Sequence, residues 1–562
     1  MKNLKKLASL LLAIAVMATT LFGCGQPADN KTTAAPDNKT TEAPVVDPTD
    51  GATEEPTTAA PEFTYPMESN AELTYFIRLF SAVKQWGTLN DAVVWKELEK
   101  ATGVKVTVNH GVGSDHTTWF NGIVAEGKAP ADIMANNFSD YAGGAAQAAK
   151  DGIIMMLDDV IAQYMPNLRA YLDANPDLDK LVKAEDGHYY TIPFFLESDE
   201  QVYTYGAFCR QDVLDKLGVK ELPTTIDGWH DLLVRVKNET NMIPICSLPS
   251  FLFNSGVFAN AYVPATYDSE YSIDPTTGKI EYTKATDEYK EFLKVMKQWY
   301  DEGLIDPDVM SLDAATVKAK FISGQSFLSI GFAGSSMQTF LAEGIIENPE
   351  MKTVAIPTAA KAEGAEVVYS SGGAGRYSGG GATVSATCAD VEAAARWMDY
   401  FFTEEGIVLT NFGVEGESYE YKDGHYQYTD HILKNAEGIT VKKMLANYTR
   451  NVETNFGIQT LDYLKSYYSA DPAVAAASGI WASKGSDDYV LYKSNIRQTV
   501  EEQDELNIYE LDLKSYAEET TSNFIIGKGD IDKDWDSYLK SLEGFGLSNV
   551  LKLRQDAYDR MK

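Results

Sequence analysis

The chain has very little cysteine, four residues in 562. That excludes a disulfide-stapled secreted scaffold. It has no basic block: Asp and Glu number 82 against 48 Lys and Arg, a formal net charge of -34. A nucleic-acid footprint rests on clustered cations and is thereby excluded. Beyond the N-terminus it has no apolar run of about 18 residues, which excludes a polytopic membrane protein. No period of about 20–50 residues recurs, which excludes a solenoid. What is present is an ordinary globular composition, 44% hydrophobic and 11% aromatic, over a length that suits two large lobes.

The first residues carry an address. Lys2, Lys5 and Lys6 precede an apolar stretch from about Leu7 to Phe22, and Cys24 follows Gly23 directly. Leu21-Phe22-Gly23-Cys24 resembles a bacterial lipobox. The resemblance implies a lipoprotein signal peptide at 1–23, cleavage before Cys24 and a diacylglycerol on its sulfur. Residues 24–66 are rich in Thr, Ala, Pro and acids and nearly free of large apolar side chains. Such a stretch buries too little surface to offset its ordering entropy, so it reads as a disordered tether.

The folded region begins near Met67. ELTYFIRL (72–79) alternates with Leu73, Tyr75, Ile77 and Leu79 on one face and predicts a strand. Asn90 or Asp91 is placed to cap a helix carrying Val94, Leu98 and Ala101, which Gly103 ends. VKVTV (104–108) and ADIMA (131–135) predict two further strands, with a helix carrying Trp119 and Ile123 between them. Strand, helix, strand, helix, strand at this spacing implies a mostly parallel α/β sheet. Ligands of such sheets sit beyond the carboxyl ends of the strands, here the loops at 80–90, 109–115 and 136–140. Further along, a threonine of Pro223-Thr224-Thr225 is placed to cap a helix carrying Trp229, and 242–247 and 326–332 have strand length. The segment 388–412 predicts one amphipathic helix, and 534–561 a helix broken by glycine near 544–546.

Chemistry-bearing motifs are sparse. Gly375-Arg376-Tyr377-Ser378-Gly379 places its serine one position too late for a nucleophile elbow. The glycine-rich run 372–381 misses the phosphate-cradling pattern and reads as a turn. The six histidines are scattered without zinc spacing. Asp530, Asp532, Asp534 and Asp536 start like a calcium loop, but Trp535 replaces the required glycine and Ser541 the final glutamate. Helix capping accounts for these acids better. No metal and no cofactor is expected. Beyond Cys24, Cys209, Cys246 and Cys388 read as buried free thiols.

Several segments, in order, resemble one family. They are VWKELEKATGVKVTV (94–108), PADIMANN (130–137), DGIIMMLDDVI (151–161) and DGHYYTIPFF (186–195). RQDVLDKLGVKELPTTIDGW (210–229), WYDEGLIDPD (299–308) and FISGQ (321–325) follow, then WMDYFFTEEGIVLTNFGVEGESY (397–419) and 534–561. Together they are similar to the extracellular solute-binding proteins (family 1) of ABC importers, in particular the large carbohydrate-type lipoproteins of Gram-positive bacteria. The resemblance implies a two-lobed, hinged fold of the type II periplasmic-binding kind, α/β in each lobe. It places lobe 1 at 67–196 and about 359–455, and lobe 2 at 197–358 and about 456–562. It implies a monomeric receptor, lipid-anchored on the outer face of the cell membrane, which hands an oligosaccharide to permease subunits and performs no chemistry. The same scaffold reading peptides or another solute, or a secreted glycoside hydrolase, are the competing functions.

Sugar clefts pair aromatic faces, which cover C–H surfaces, with planar polar groups for the hydroxyls. The candidates in loops expected at the cleft are Trp86, Asn137, Phe138, Glu197, Phe251, Phe332, Arg376 and Trp481. Core packing is the competing role for each aromatic. Arg376 is suited equally to a sugar acid or to one of the chain's many carboxylates. Trp95, Trp229, Trp397 and Trp535 fall on helix patterns and are assigned to packing.

Overall fold

Alternation dictates the first strand. In β1 (Glu72–Arg78), Leu73, Tyr75 and Ile77 are buried and their neighbours are not. The helix Val93–Thr102 then buries Val94, Trp95, Leu98 and Thr102. Gly103 ends it in the left-handed region at φ 76°, where a Cβ would lie 2.3 Å from the Met67 carbonyl oxygen. Asn90 and Asp91 do not cap this helix, contrary to the sequence expectation. They lie in a 3-10 turn capped by Thr88. Asn90 instead accepts the Val108 N–H at 2.7 Å and donates to the Val108 carbonyl at 2.8 Å. A strand edge offering both a donor and an acceptor suits an amide side chain better than a helix end does.

The computed structural model describes residues 63–561 other than 70, 80, 81, 84, 85, 112–119, 121, 123–125, 139, 140, 142, 255, 266–269, 275, 366, 368–374, 378, 436, 438, 451–455, 483–489 and 492–497. The signal peptide, Cys24, nearly all of the tether, and the helix expected around Trp119 and Ile123 lie outside the described residues. Residues 60–562 form one unit.

The further strands are β2 (Lys105–Gly111), β3 (Ile133–Met134), β4 (Ile192–Leu196), β5 (Tyr205–Arg210), β6 (Ile243–Ile245), β7 (Tyr271–Ile273), β8 (Ile280–Tyr282), β9 (Ser326–Phe332), β10 (Thr353–Ala355), β11 (Gly381–Val384), β12 (Tyr419–Lys422), β13 (His425–Tyr428), β14 (Gly457–Gln459) and β15 (Val490–Leu491). One sheet has the order β14-β4-β11-β3-β1-β2, a second the order β10-β5-β9-β6. In the first, β11 alone runs against the others. In the second, β6 and β9 are parallel and β5 opposes β9 and β10. Each sheet is the centre of its own lobe with its own core. Trp95, Trp397, Tyr75 and Phe456 pack in the first, and Trp229, Phe258, Trp299 and Trp535 in the second. All four tryptophans assigned to helix packing are thus buried.

The chain crosses between the lobes after Leu196, after Ala355 and after Gln459. Because β14 pairs with β4, the chain leaves the first sheet for the last time after Gln459. The helix Leu461–Tyr468 follows it. Its Asp462 and Ser466 bind the β12–β13 hairpin, while Leu464 and Tyr468 join a core cluster of the second lobe.

Two helical expectations change. The segment 388–412 is two helices, Val391–Asp399 and Glu404–Phe412, joined by a 3-10 turn. Thr403 caps the second, its hydroxyl accepting the Gly406 N–H, and a Cβ at Gly406 would lie 1.7 Å from the Tyr400 carbonyl oxygen. The long helix Val500–Ile525 was not anticipated at all. The glycine break is as expected, with helices Ile531–Gly544 and Leu547–Met561. Asp530 caps the former, accepting the N–H groups of Asp532 and Lys533, so these acids serve the helix terminus.

Asp399 ends the first of the split helices without any exposed surface. It accepts the Leu168 N–H at 2.8 Å and the Asn167 side-chain and main-chain N–H groups at 2.7 and 3.3 Å. Burial pushes its carboxyl up to about 6 in spite of these donors. A pKa raised by folding contributes stability that is present at low pH and is lost as the pH rises from about 4 through about 6. The melting-temperature advantage of wild type over Asp399→Asn is therefore expected to shrink between pH 4.5 and pH 7. Calorimetry at the two pH values checks this, and a constant difference contradicts it.

Candidate functional site

The carboxyl ends of β1, β2, β3, β4 and β14 share one edge of the first sheet, and β11 begins there. In the second sheet, β6 and β9 end on the edge where β5 starts and β10 ends. The three crossings join these two edges, so the space between them is bounded by strand carboxyl ends on both sides. That is where α/β sheets place ligands.

The second lobe contributes an aromatic group to this edge. Phe332 is the last residue of β9, Tyr205 the first of β5, and Phe251 follows β6. Tyr205 meets both phenylalanines edge to face with centroids 5.2 Å apart, and Phe251 lies 6.2 Å from Phe332. Tyr205 is buried, while Phe251 and Phe332 are only partly buried. The two predicted rings are thus brought together, on a third that sequence reasoning missed. The group gives an apolar wall suited to the C–H face of a sugar ring.

The first lobe contributes Asn137, beyond β3, whose Nδ2 donates to the Gly379 carbonyl at 2.5 Å. Arg376 and Glu197 hold the crossings together. The Leu196 N–H donates to the Arg376 carbonyl at 2.9 Å, and Arg376 Nε donates back to Leu196 at 3.0 Å. The same guanidinium donates to the Tyr171 hydroxyl at 2.9 Å and the Asn175 amide oxygen at 3.5 Å. None of these partners is a carboxylate, so the pairing of Arg376 with one of the chain's own acids is not seen. Burial raises the Tyr171 hydroxyl above its usual range even beside Arg376, so Tyr171 stays neutral. Glu197 receives the Leu461 N–H on Oε2 at 2.7 Å and donates its own N–H to the Gln459 carbonyl at 3.0 Å. Gln201, which was not anticipated, donates to the Gln459 and Thr460 carbonyls at 3.1 and 3.0 Å. The first and third crossings therefore run side by side, clasped by two side chains.

Three candidates sit elsewhere. Phe138 is fully buried, at φ 56°. Asn136 accepts its N–H at 2.5 Å, and that turn sends the ring into a cluster with Phe120 and Tyr141. Trp481 is 1% exposed on the helix Pro472–Ala482, its Nε1 donating to the Ala207 carbonyl at 3.1 Å. Its ring occupies the place of the side chain that Gly206 lacks; a Cβ there would be 2.4 Å away. In this conformation neither ring has a face left for a ligand. Trp86 is partly buried between two clusters, its Nε1 donating to the Lys443 carbonyl at 2.7 Å.

Tyr467 is a further residue missed by sequence reasoning. It packs partly against clusters of both lobes, and its ring approaches Gly334 just beyond Phe332. Among the described residues, no group of three or more His, Cys, Asp or Glu is placed to hold a metal ion. Cys209 and Cys246 are buried and Cys388 is partly buried, all three as free thiols. Burial pushes the Cys246 thiol up to about 12 and Cys388 to about 11, which leaves both protonated and unreactive.

A family model described as "Bacterial extracellular solute-binding protein" matches residues 87–407. The fructooligosaccharide ABC transporter substrate-binding protein FusA of Streptococcus pneumoniae serotype 4 is 27% identical over 496 residues, covering 84% of this chain and 87% of that protein. The lipoprotein LipO of Bacillus subtilis is 24% identical over 341 residues, covering 58% of this chain and 64% of its own. Among solved structures, the alginate-binding protein AlgQ2 superposes with a TM-score of 0.68 at 23% identity, covering 89% of this chain and all of that one. FusA in complex with kestose superposes with a TM-score of 0.67 at 21% identity, covering 87% and 99%. These likenesses establish the two-lobed α/β fold.

Proposed function

The chain belongs to the family of bacterial extracellular solute-binding proteins, and on that premise we propose that it captures an oligosaccharide between its lobes and delivers it, unaltered, to an ABC permease. The observation that carries the ligand class is the wall of Tyr205, Phe251 and Phe332 at the carboxyl edge of the second sheet. The partly exposed rings of Phe251 and Phe332, backed by buried Tyr205, suit the alternating apolar and hydroxylated surfaces of sugars better than the charged termini of peptides. The description of FusA as a fructooligosaccharide-binding protein supports the same class. The protein is a receptor and no enzyme: its ligand is bound by hinge closure and released by opening.

The lipobox-like LFGC sequence supports anchoring at Cys24 on the outer face of the cell membrane, as does the likeness to a lipoprotein. No helix among the described residues is long and apolar enough to cross a membrane. A tether of roughly 40 residues reaches up to about 120 Å if extended at about 3 Å per residue. It would hold a monomeric receptor near its permease and raise their mutual effective concentration.

A melting-temperature screen tests the ligand class. The protein from residue 60 onward is exposed to fructo-, gluco-, manno- and uronic-acid oligosaccharides, monosaccharides and short peptides. A ligand of the native state stabilises by RT ln(1 + [L]/Kd), about 2.7 kcal/mol at 100 Kd. One oligosaccharide class is expected to shift the transition upward. A shift with peptides alone contradicts the proposed class.

A further inference from the structure

Away from the three crossings and the helix that follows the last of them, one ion pair among the described residues joins the lobes. Arg560, in the final helix Leu547–Met561, contacts Glu185 through Nε at 2.7 Å. Glu185 belongs to the first lobe, in the loop between the helix Pro176–Val182 and β4. Its neighbour Ala184 donates its N–H to the His188 carbonyl and packs against the cluster of Phe120 and Phe138. Arg560 belongs to the second lobe, where its helix packs on β8 and on the helix Val500–Ile525.

The contact is built on one side in advance. Arg560 donates both terminal nitrogens to the two oxygens of Glu502, each at 2.6 Å. Glu502 is itself fixed, because it closes the capping box of its helix and accepts the Thr499 N–H at 2.9 Å. A guanidinium held by a bidentate partner keeps its positive charge in a set place, with Nε 2.7 Å from a Glu185 oxygen. The two carboxylates belong to different lobes and feel each other's charge. Arg560 is the cation between them.

We propose that Arg560 is an interlobe latch: its ion pair with Glu185, placed by Glu502, holds the relative orientation of the lobes seen here. Hinge motion that separates Glu185 from Arg560 breaks the bond, so the pair biases the conformational equilibrium on which capture and release depend. Side-chain exposure is 37% for Arg560 and 32% for Glu185. A pair so exposed is modest in strength and open to screening by salt. A bias of about two- to fivefold matches that strength. Removing Arg560 acts more strongly than removing Glu185, since it leaves two carboxylates facing one another.

The test is a distance measurement on residues 60–562 without ligand. Spin labels at Lys100→Cys in the first lobe and Lys533→Cys in the second, with Cys388→Ser, report the interlobe distance distribution by pulsed dipolar spectroscopy. At low salt, Glu185→Gln is expected to change the ratio of populations about two- to fivefold, and Arg560→Gln by more. Raising the salt to about 1 M moves the latched protein toward the Glu185→Gln distribution and leaves that variant unmoved. Both substitutions lie at the surface, and an unchanged melting temperature shows that folding is not the cause. Superimposable distributions for the parent, Glu185→Gln and Arg560→Gln at low salt overturn the latch.

Discussion

Trp481→Ala is expected to destabilise the second lobe by about 3–5 kcal/mol, the usual cost of deleting a fully buried large aromatic. The ring is 1% exposed, its indole N–H is spent on the Ala207 carbonyl, and it fills the hollow over Gly206. Gly206→Ala attacks the same contact from the other side. A Cβ 2.4 Å from the ring cannot be accommodated without displacing it, and overpacking of this kind costs about 1–3 kcal/mol. The double variant separates this account from two independent injuries. With the indole removed, the added methyl has room, so the loss in the double variant is smaller than the sum. Chemical denaturation of the four proteins checks this; strict additivity contradicts it.

Phe332→Ala is expected to have the opposite profile. The ring is only partly buried at the end of β9, so its stability cost is a fraction of that of Trp481. Its share in the aromatic wall is a larger matter. Deleting a central anchor of a binding surface typically costs about 2 kcal/mol or more, which is roughly 30-fold in affinity. Phe251→Ala follows in the same direction. Calorimetric titration with the oligosaccharide class found by the melting screen should rank Phe332→Ala far below Trp481→Ala in affinity per folded molecule. The melting temperatures should rank them in reverse. Equal affinity for Phe332→Ala and wild type removes the wall from the site.

Much of this was legible in the sequence, and the parts that were not have physical reasons. The strand β1 was legible because one face is buried and its neighbours are not, which writes a period of two into the residues. The helix Ile226–Thr240 was legible because Thr225 caps it and its apolar stripe is wide. The helix Val500–Ile525 was opaque because its buried positions, Leu506, Leu513, Ala517, Thr521, Phe524 and Ile525, form a narrow stripe among acids. The break at Tyr400–Phe402 was hidden because its aromatic residues continue the apolar face of the preceding helix.

The site divides the same way. The placing of Phe251 and Phe332 at one edge was legible because each follows a recognisable strand. Tyr205 was missed because only the antiparallel pairing of β5 with β9 brings it between them. The burial of Phe138 was not legible because it depends on ring contacts with Phe120 and Tyr141 that no local pattern writes into the sequence. The burial of Trp481 was not legible because Gly206, the residue that makes room for it, lies 275 positions away. Glu185 and Arg560 are farther apart still, and no local pattern announces their contact.

Native mass spectrometry of residues 60–562 with a mixed panel of oligosaccharides tests the central claim most directly. A one-to-one complex with one oligosaccharide class is expected, with a ligand of unchanged mass after hours of incubation. A protein that retains no oligosaccharide from the panel, or one that returns shortened sugars, would contradict it.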